Sequence, residues 1–188
     1  MPQPARERIL DAAYTCVSRY GIAKTTVEDA AREARVARAT VYRNFPGGKD
    51  QLIRETISRE AGRFFEQLAM AVAHADSFAE LLEEALLFGH RQVEEHEVLQ
   101  KILVTEPELL LPELTLESTR ILQFIKTFIR PNLAHEALAP GVTLEQAVDH
   151  VARLLLSFVM APGRWDLEDR AQVRELVRTE LLSGVLPV

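Results

Sequence analysis

The sequence predicts an all-α protein, and three features of the 188-residue chain support this fold class. Apolar residues recur at spacings of three and four along most of the chain, which is the period of an amphipathic helix. No segment shows the alternation of apolar and polar residues that a half-buried strand requires. Because 47% of the residues are apolar, the chain can bury a substantial core and an ordered fold is expected.

The first predicted helix carries one apolar stripe and ends at Gly21, since glycine commonly follows a helix C-terminus. The stripe includes Cys16, the only cysteine of the chain, which we expect to be a buried small hydrophobe. A single cysteine excludes an internal disulfide and a zinc site made of cysteines alone. The stripe consists of Ile9, Leu10, Ala13, Cys16, Val17 and Tyr20.

Two shorter predicted helices follow within the first 48 residues. Thr25 or Thr26 is the expected N-cap of the second helix, and acidic residues in its first turn suit the helix dipole. A connection over residues 35–37 leads to the third helix, which ends before Pro46 because the residue preceding a proline disfavours helix. Three helices, the last two joined by a tight turn, predict a helix-turn-helix domain over residues 1–48.

Residues 49–188 are predicted to form a larger helical domain. Ser77 is a good N-cap, and Thr143 with Gln146 has the spacing of a capping box. The prolines in "TEPELLLPEL" are expected to interrupt regular structure. The predicted helices cover residues 49–75, 77–95, 98–104, 114–129, 143–160 and 169–183.

Charge is distributed unevenly along the chain, whose net charge is −6. Residues 1–60 contain 11 basic and 8 acidic residues, whereas residues 61–188 contain 11 basic and 20 acidic ones. The negative net charge of the whole chain disfavours a nucleic-acid partner. The mildly basic segment 1–60, however, is compatible with such a partner, because the excess of acidic residues lies in residues 61–188. The positions of the basic residues therefore decide the question.

The third helix, within "VARATVYRNF" (residues 36–45), has an outward side without acids. At about 100° per residue, Val41 and Phe45 fall together and mark the side that faces the core. A surface helix that is only solvated would carry Lys and Glu on its other side. The outward set instead consists of Arg38, Ala39, Thr40, Tyr42, Arg43 and Asn44.

These side chains suit the major groove of DNA. Arginine can donate two hydrogen bonds to guanine, asparagine can pair with adenine, and Ala39 or Thr40 can approach a thymine methyl. The hydroxyl of Tyr42, the N-terminus of the second helix at Thr26 and the ammonium of Lys49 can each bind a phosphate. The helix is therefore predicted to bind double-stranded DNA.

"TTVEDAAREARVARATVYRNFPGGKDQL", together with the preceding "ARERILDAAYTCVSRYGIAKTT", resembles the DNA-binding region of the TetR family of bacterial transcriptional regulators. The resemblance implies an all-helical homodimer, usually a repressor, that binds a palindromic operator and is released by a small-molecule effector. Because no segment approaches the length of an apolar membrane span and "MPQPARER" lacks the apolar stretch of a signal peptide, we expect a cytoplasmic protein. The resemblance covers about the first quarter of the chain. The positions that it implies for DNA contact are Thr26, Arg38, Ala39, Thr40, Tyr42, Arg43, Asn44 and Lys49.

The chain departs from the family pattern at two positions of the turn. Arg35 stands where glycine is common, so either Arg35 accepts a left-handed backbone or the turn differs. Ala37 stands where Ser or Thr usually caps the third helix, which removes a cap worth about 1 kcal/mol.

The larger domain offers candidates for effector binding and for dimerisation. The helix over residues 144–160 is apolar around much of its circumference, so it and the helix over residues 169–183 are expected to form the homodimer interface. Large apolar residues of the preceding helices could enclose an apolar or amphipathic effector, or they could be ordinary core. These candidates are Phe64, Leu68, Phe88, Leu103, Phe124 and Phe128.

Two other classes of function compete with a regulator. A metal-dependent enzyme could use His90 and Glu94, which lie four residues apart, but the chain has no HExxH motif and no Gly-rich phosphate loop. A helical adaptor that binds only protein would account for the acidic body but not for the acid-free side of the third helix. We therefore expect no enzymatic activity, no cofactor, no bound metal and no membrane span.

Overall fold

The chain is all-α, as the sequence predicts. The computed structural model describes the backbone of residues 3–187 and, except at residues 110–120, their side chains. No strand occurs between residues 3 and 187, and none of the helices described there is long and apolar enough to cross a membrane. The helices are α1 (Ala5–Lys24), α2 (Val27–Glu33), α3 (Arg38–Asn44), α4 (Gly48–Ala71), α5 (Phe78–Glu95), α6 (Glu97–Thr105), α7 (Pro107–Leu133), α8 (Leu144–Met160) and α9 (Arg170–Leu176), and the π-helical turn Val177–Leu181 follows α9 directly.

The helices belong to two compact units. The first unit comprises Met1–Arg63 and Glu97–Glu117, and the second comprises Phe64–His96 and Ser118–Val188. Helices α4 and α7 each have residues in both units. The functional boundary predicted between residues 48 and 49 remains a prediction.

The core of the first unit lies between α1, α2 and α3. Alanines on α1 and α2 allow these helices to approach closely, and α1 contacts both other helices. Cys16 is buried and free, as predicted. A second apolar cluster joins α1, α4 and α6 through Val17, Ile22, Ile53 and Ile102. The buried residues of the main cluster include Ile9, Leu10, Ala13, Val27, Ala30, Ala31, Ala34, Val41, Phe45 and Leu52.

The second unit is built around α5. This helix contacts α8, α9 and the π-helical turn, and its Leu82 and Leu86 are completely buried. The apolar residues of α9, including Val173 and Leu176, face the same core. Helix α8 buries Val151 there.

The predicted helix starts are confirmed where a side chain caps the backbone. Thr26 and Thr143 each form a capping box, with Asp29 and Gln146 respectively. Ser77 accepts a hydrogen bond from the amide of Glu80 and begins α5. These caps are local in sequence, which explains why the sequence predicts them.

Three predictions about helix continuity need correction. The two prolines of "TEPELLLPEL" differ in their effect: the helix breaks at Glu106, just before Pro107, as predicted, but α7 begins at Pro107 and continues through Pro112 to Leu133. At the first helical position, Pro107 costs no hydrogen bond, because a backbone N–H there would have no partner within the helix. Pro112, inside the helix, removes one backbone hydrogen bond. Gly21 breaks α1 with φ 83° and ψ 173°, yet one further turn reaches Lys24. The last predicted helix ends as α-helix at Leu176 and continues as the π-helical turn.

Candidate nucleic-acid interface

Helix α3 is held by two residues and exposes its other side. Val41 and Phe45 are completely buried in the core of the first unit, as the helical wheel predicts. The guanidinium of Arg6, on α1, also packs over the Phe45 ring, 5.2 Å from its centroid. Among the predicted contact residues, Arg38, Ala39, Tyr42 and Arg43 are exposed, and Thr40 and Asn44 are half-buried.

The turn between α2 and α3 uses Arg35 in the left-handed conformation, with φ 54°. The amide of Val36 donates to Ala31 O (2.9 Å) and the amide of Arg35 donates to Arg32 O (3.1 Å). This pair of bonds is a Schellman motif, which normally has glycine at the left-handed position. Arg8 donates from Nη2 to Ala34 O (2.7 Å) and Arg35 O (3.4 Å), so α1 stabilises the turn. The sequence does not predict this role of Arg8, because the contact spans 26 residues.

The start of α3 has no side-chain cap at Ala37, as predicted. Arg38 is instead held from two sides: its Nε lies 2.8 Å from Glu28 Oε1, and its Nη2 donates to the Tyr42 hydroxyl (3.3 Å). The guanidinium also lies 5.3 Å from the centroid of the Tyr42 ring. The hydrogen bond to Tyr42 and the charge of Glu28 raise the pKa of Arg38 above its ordinary value. Glu28 is one of the two acidic residues in the first turn of α2, and the sequence does not predict its contact with Arg38.

Tyr42 and Arg43 remain available on the exposed side of α3. The Tyr42 hydroxyl accepts a hydrogen bond from Arg38, and its own proton can still be donated to a phosphate. Within the described part of the chain, no hydrogen bond or ion pair holds the guanidinium of Arg43. All five N–H donors of Arg43 can therefore reach a ligand.

Thr26 and Asn44 are engaged within the fold. The amide and the hydroxyl of Thr26 both donate to Asp29 Oδ2, at 3.2 and 2.6 Å. These bonds, with the nearby Arg32, hold the pKa of Asp29 below its ordinary value. A phosphate at Thr26 would have to displace this carboxylate. Asn44 donates from Nδ2 to Thr40 O (2.7 Å), which uses one of its two amide N–H donors.

Charged residues secure the C-terminal end of α1, where Gly21 breaks the helix. Lys49 donates from Nζ to Ala23 O (2.8 Å), which uses one of its three N–H donors. Glu106 accepts from the amide of Ile22 (2.6 Å), and Lys101 donates to Ser18 O (2.7 Å). Lys101 of α6 thereby supplies a donor, and Glu106, the residue after α6, supplies an acceptor to backbone groups near the break in α1. The sequence does not predict these partners, since 84 residues separate Glu106 from Ile22.

The predicted effector-binding residues fall into two groups. In the second unit Phe64 contacts Phe65 edge to face (centroids 5.3 Å apart) and lies 5.9 Å from Phe88, and Phe65 stacks on Phe124 at 5.3 Å. Leu68 and Phe128 pack, half-buried, against the core of this unit. Leu103 lies elsewhere, in the first unit, against the cluster of Val17, Ile22, Ile53 and Ile102.

His90 and Glu94, the pair considered for a metal, lie on α5. The Nδ1 atom of His90 is 3.5 Å from Val159 O, so the backbone is a partner of this ring. Among the described residues, no three His, Cys, Asp or Glu side chains are grouped as metal ligands.

Residues 9–56 match the family model of the bacterial regulatory proteins of the tetR family. This segment contains most of α1, the whole turn and α3, and the start of α4. An uncharacterized HTH-type transcriptional regulator of Mycobacterium tuberculosis is 27% identical over 175 residues, which is 92% of this chain and 83% of that relative. All candidate DNA-contacting residues lie inside the segment that the family model matches.

Solved structures share the fold over nearly the whole chain. AlkX, a TetR family repressor from Dietzia sp. strain DQ12-45-1b implicated in biodegradation of n-alkanes, has a TM-score of 0.65 at 20% identity over 97% of both chains. FadR from Bacillus subtilis, in complex with stearoyl-CoA, has a TM-score of 0.55 at 18% identity, over 95% of this chain and 98% of FadR. At these identities the likeness is one of fold.

Proposed function

We propose that the chain is a homodimeric repressor of the TetR family that binds a palindromic operator and is released by a small effector; the match of residues 9–56 to the family model and the similarity to an HTH-type transcriptional regulator support this proposal. Its relatives regulate transcription and are not enzymes, so the metal-dependent enzyme considered from the sequence does not describe it. We place this activity in the cytoplasm, where bacterial DNA lies.

The exposed side of α3 is the observation that carries the proposal. Val41 and Phe45 fix the helix, while Arg38, Ala39 and Arg43 are exposed on it. Arginine can donate two hydrogen bonds to guanine O6 and N7, and a small residue between two arginines allows close approach to the base edges. We assign base contacts to these three residues.

The remaining candidates contribute mainly phosphate contacts. Tyr42 can donate its hydroxyl proton, and Lys49 has two N–H donors beyond the one bound to Ala23 O. Thr40 is half-buried and offers its methyl group to a thymine. Thr26 would have to give up its hydrogen bonds to Asp29, and the half-buried Asn44 has one N–H already bound to Thr40 O, so we expect both to contribute less.

An apolar or amphipathic effector is supported by the aromatic residues of the second unit. Four phenylalanine rings form a continuous row in which Phe88 contacts Phe64, Phe64 contacts Phe65, and Phe65 contacts Phe124. Phe124, at the end of the row, is 51% exposed. An exposed aromatic ring next to a cluster of others is a suitable wall for a long apolar ligand. The complex of FadR with stearoyl-CoA makes an acyl chain a reasonable first class of ligand to test. Leu68 and Phe128 complete this group of candidates, which excludes Leu103.

The homodimer is supported by α8 more than by α9. Leu154 and Phe158 of α8 are only half-buried within the second unit, and Met160 is 43% exposed. The apolar residues of α9 are buried in the core, and its exposed residues include Arg170 and Arg174. We propose that α8 supplies the apolar contact between protomers and that α9 supplies polar contacts at its edge.

A binding assay with the DNA upstream of the chain's own gene, repeated across salt concentrations, tests this function. Specific binding should weaken steeply with added salt, because phosphate contacts release counterions. Failure to bind any duplex at low salt would contradict the proposal. A ligand that binds the second unit should in turn weaken DNA binding, and unchanged DNA affinity at saturating ligand would contradict the regulatory part.

A further inference from the structure

Glu28, in the first turn of α2, contacts the guanidinium of Arg38 on α3. We propose that Glu28 is a specificity-determining positioning residue, which holds the Arg38 guanidinium so that it reads a base instead of moving to a phosphate. The inference rests on the proposed DNA-binding function.

The contacts of Arg38 define which of its donors remain for DNA. Glu28 Oε1 lies 2.8 Å from Nε, and the Tyr42 hydroxyl accepts from Nη2 at 3.3 Å, while the Tyr42 ring lies against the guanidinium. Neither contact uses Nη1, and each terminal nitrogen carries two hydrogens. The edge formed by Nη1 and Nη2 can therefore still donate two parallel hydrogen bonds, which is the arrangement that guanine O6 and N7 accept.

The pair adds little to the stability of the fold. The side chains of Arg38 and Glu28 are 62% and 51% exposed, and ion pairs at such positions contribute little because water and salt screen them. A carboxylate at a surface that faces DNA also repels phosphates, so it lowers affinity for DNA of every sequence. The contact therefore neither stabilises the fold much nor strengthens DNA binding in general, and its useful consequence is that it orients the Arg38 side chain.

The contrast with Arg43 supports this division of roles. Arg43 is exposed and, in the part of the chain that the structure describes, is held by no hydrogen bond or ion pair. A flexible arginine can bind a phosphate as readily as a base, whereas one fixed at Nε and Nη2 loses much of that choice. The two arginines of α3 should thus differ in how much each adds to discrimination.

The test uses the full chain and two DNA probes: a duplex selected by the wild type from a randomised pool, and a scrambled duplex of the same composition. Glu28→Ala should lower the ratio of the two affinities about fivefold, the lower end of what one arginine–guanine pair supplies, and should strengthen binding to scrambled DNA. Glu28→Gln should restore part of the ratio, because its amide oxygen can accept from Nε. The matched control is Glu33→Ala, also exposed on α2, whose carboxylate pairs with Arg19 at 3.2 Å and should leave the ratio unchanged.

An Arg38→Ala background shows whether Glu28 acts through Arg38. There, Glu28→Ala should still strengthen binding to both duplexes but should no longer change their ratio. Equal shifts on both duplexes when Glu28→Ala is made in the wild type, or a loss of ratio that persists in the Arg38→Ala background, would overturn the inference. Failure of the wild type to enrich any duplex from the pool would instead refute the proposed function itself.

Discussion

Arg35 adopts a left-handed backbone conformation that is unfavourable for every residue type except glycine. At φ 54° it occupies the left-handed position of the Schellman motif that ends α2. Arg8 donates hydrogen bonds to the carbonyl oxygens of Ala34 and Arg35 in this turn. The left-handed conformation costs a non-glycine residue roughly 1–2 kcal/mol. The hydrogen bonds from Arg8 offset part of this cost, which explains how the turn is kept without glycine.

Arg35→Gly should therefore stabilise the protein. Relief of the left-handed conformation, less the extra entropy of glycine in the unfolded chain, should raise the free energy of unfolding by about 1 kcal/mol. Urea denaturation followed by circular dichroism measures this change. Arg32→Gly, three residues earlier in the regular part of α2, is the control and should lower the free energy of unfolding by about 1 kcal/mol. A loss of stability in Arg35→Gly would contradict this account of the turn.

Arg43 and Lys49 should affect DNA binding in different ways. Arg43→Ala should reduce discrimination between a selected and a scrambled duplex, because a base contact contributes about 1–3 kcal/mol to specificity. Lys49→Ala should weaken binding to both duplexes by the same factor, since a phosphate contact carries no sequence information. Fluorescence anisotropy with the two labelled duplexes measures both ratios. Equal losses on both duplexes for Arg43→Ala would refute its base-reading role.

At the scale of the elements, helix α8 is tied to α7 by charges around Asp149. Arg153 Nε lies 2.7 Å from Asp149 Oδ2, and Lys126 of α7 pairs with the other oxygen. Hydrogen bonds from Arg153 and Lys126 lower the pKa of Asp149 to about 2. The folded protein therefore keeps Asp149 charged at a pH where the unfolded chain, with an ordinary pKa of about 3.9, is already protonated.

The contribution of Asp149 to stability should disappear in acid. A depressed pKa in the folded state stabilises the protein above about pH 4, and this stabilisation is lost as the pH falls towards 2. Wild type should thus exceed Asp149→Asn in free energy of unfolding near neutral pH, and the difference should shrink between pH 4 and 2. Urea titrations at several pH values measure it. Arg153→Met should reduce the pH-dependent part, and a difference independent of pH would contradict the assignment.

Features of the elements that depend on neighbours in sequence could be predicted from the sequence. The caps at Thr26 and Thr143, and the burial of Val41 and Phe45, follow from spacings of three or four residues within one helix. The continuation of α7 through Pro112 could not be predicted. A proline inside a helix removes one hydrogen bond, and the remaining hydrogen bonds and packing of this 27-residue helix, which the local sequence does not show, keep it continuous.

The parts of the candidate site that the sequence misses involve contacts between elements. The acid-free side of α3 is visible in the sequence, but its first arginine is paired with Glu28 of the preceding helix. Leu103 has the same apolar character as the phenylalanines, yet it packs in the first unit with Ile102. Composition and period cannot distinguish such partners, because packing of separate helices determines them.

At the scale of the whole molecule, the proposed repressor depends on two copies of the chain. A single three-helix domain presents one short helix to DNA, and two such helices one turn of DNA apart bind a palindrome together. The contribution of linking them is large, because the second contact becomes intramolecular and can raise affinity by about 10²-fold or more. The dimer contact proposed at Leu154 and Met160 of α8 is therefore a requirement for operator binding, and not only for assembly.

The spacing of the two half-sites tests dimer and DNA contact together. Inserting about 5 base pairs at the centre of a selected palindrome turns the half-sites to opposite faces of the duplex, so wild-type affinity should fall about a hundredfold. Leu154→Glu and Met160→Glu place a carboxylate in the apolar contact and should yield monomers in analytical ultracentrifugation. These monomers should bind the original and the expanded palindrome equally weakly, while Gln123→Glu, at an exposed position of α7, should behave as wild type. A monomeric variant that retains the spacing dependence would show that another surface joins the protomers, and a wild type insensitive to spacing would show that the two α3 helices do not bind the operator together.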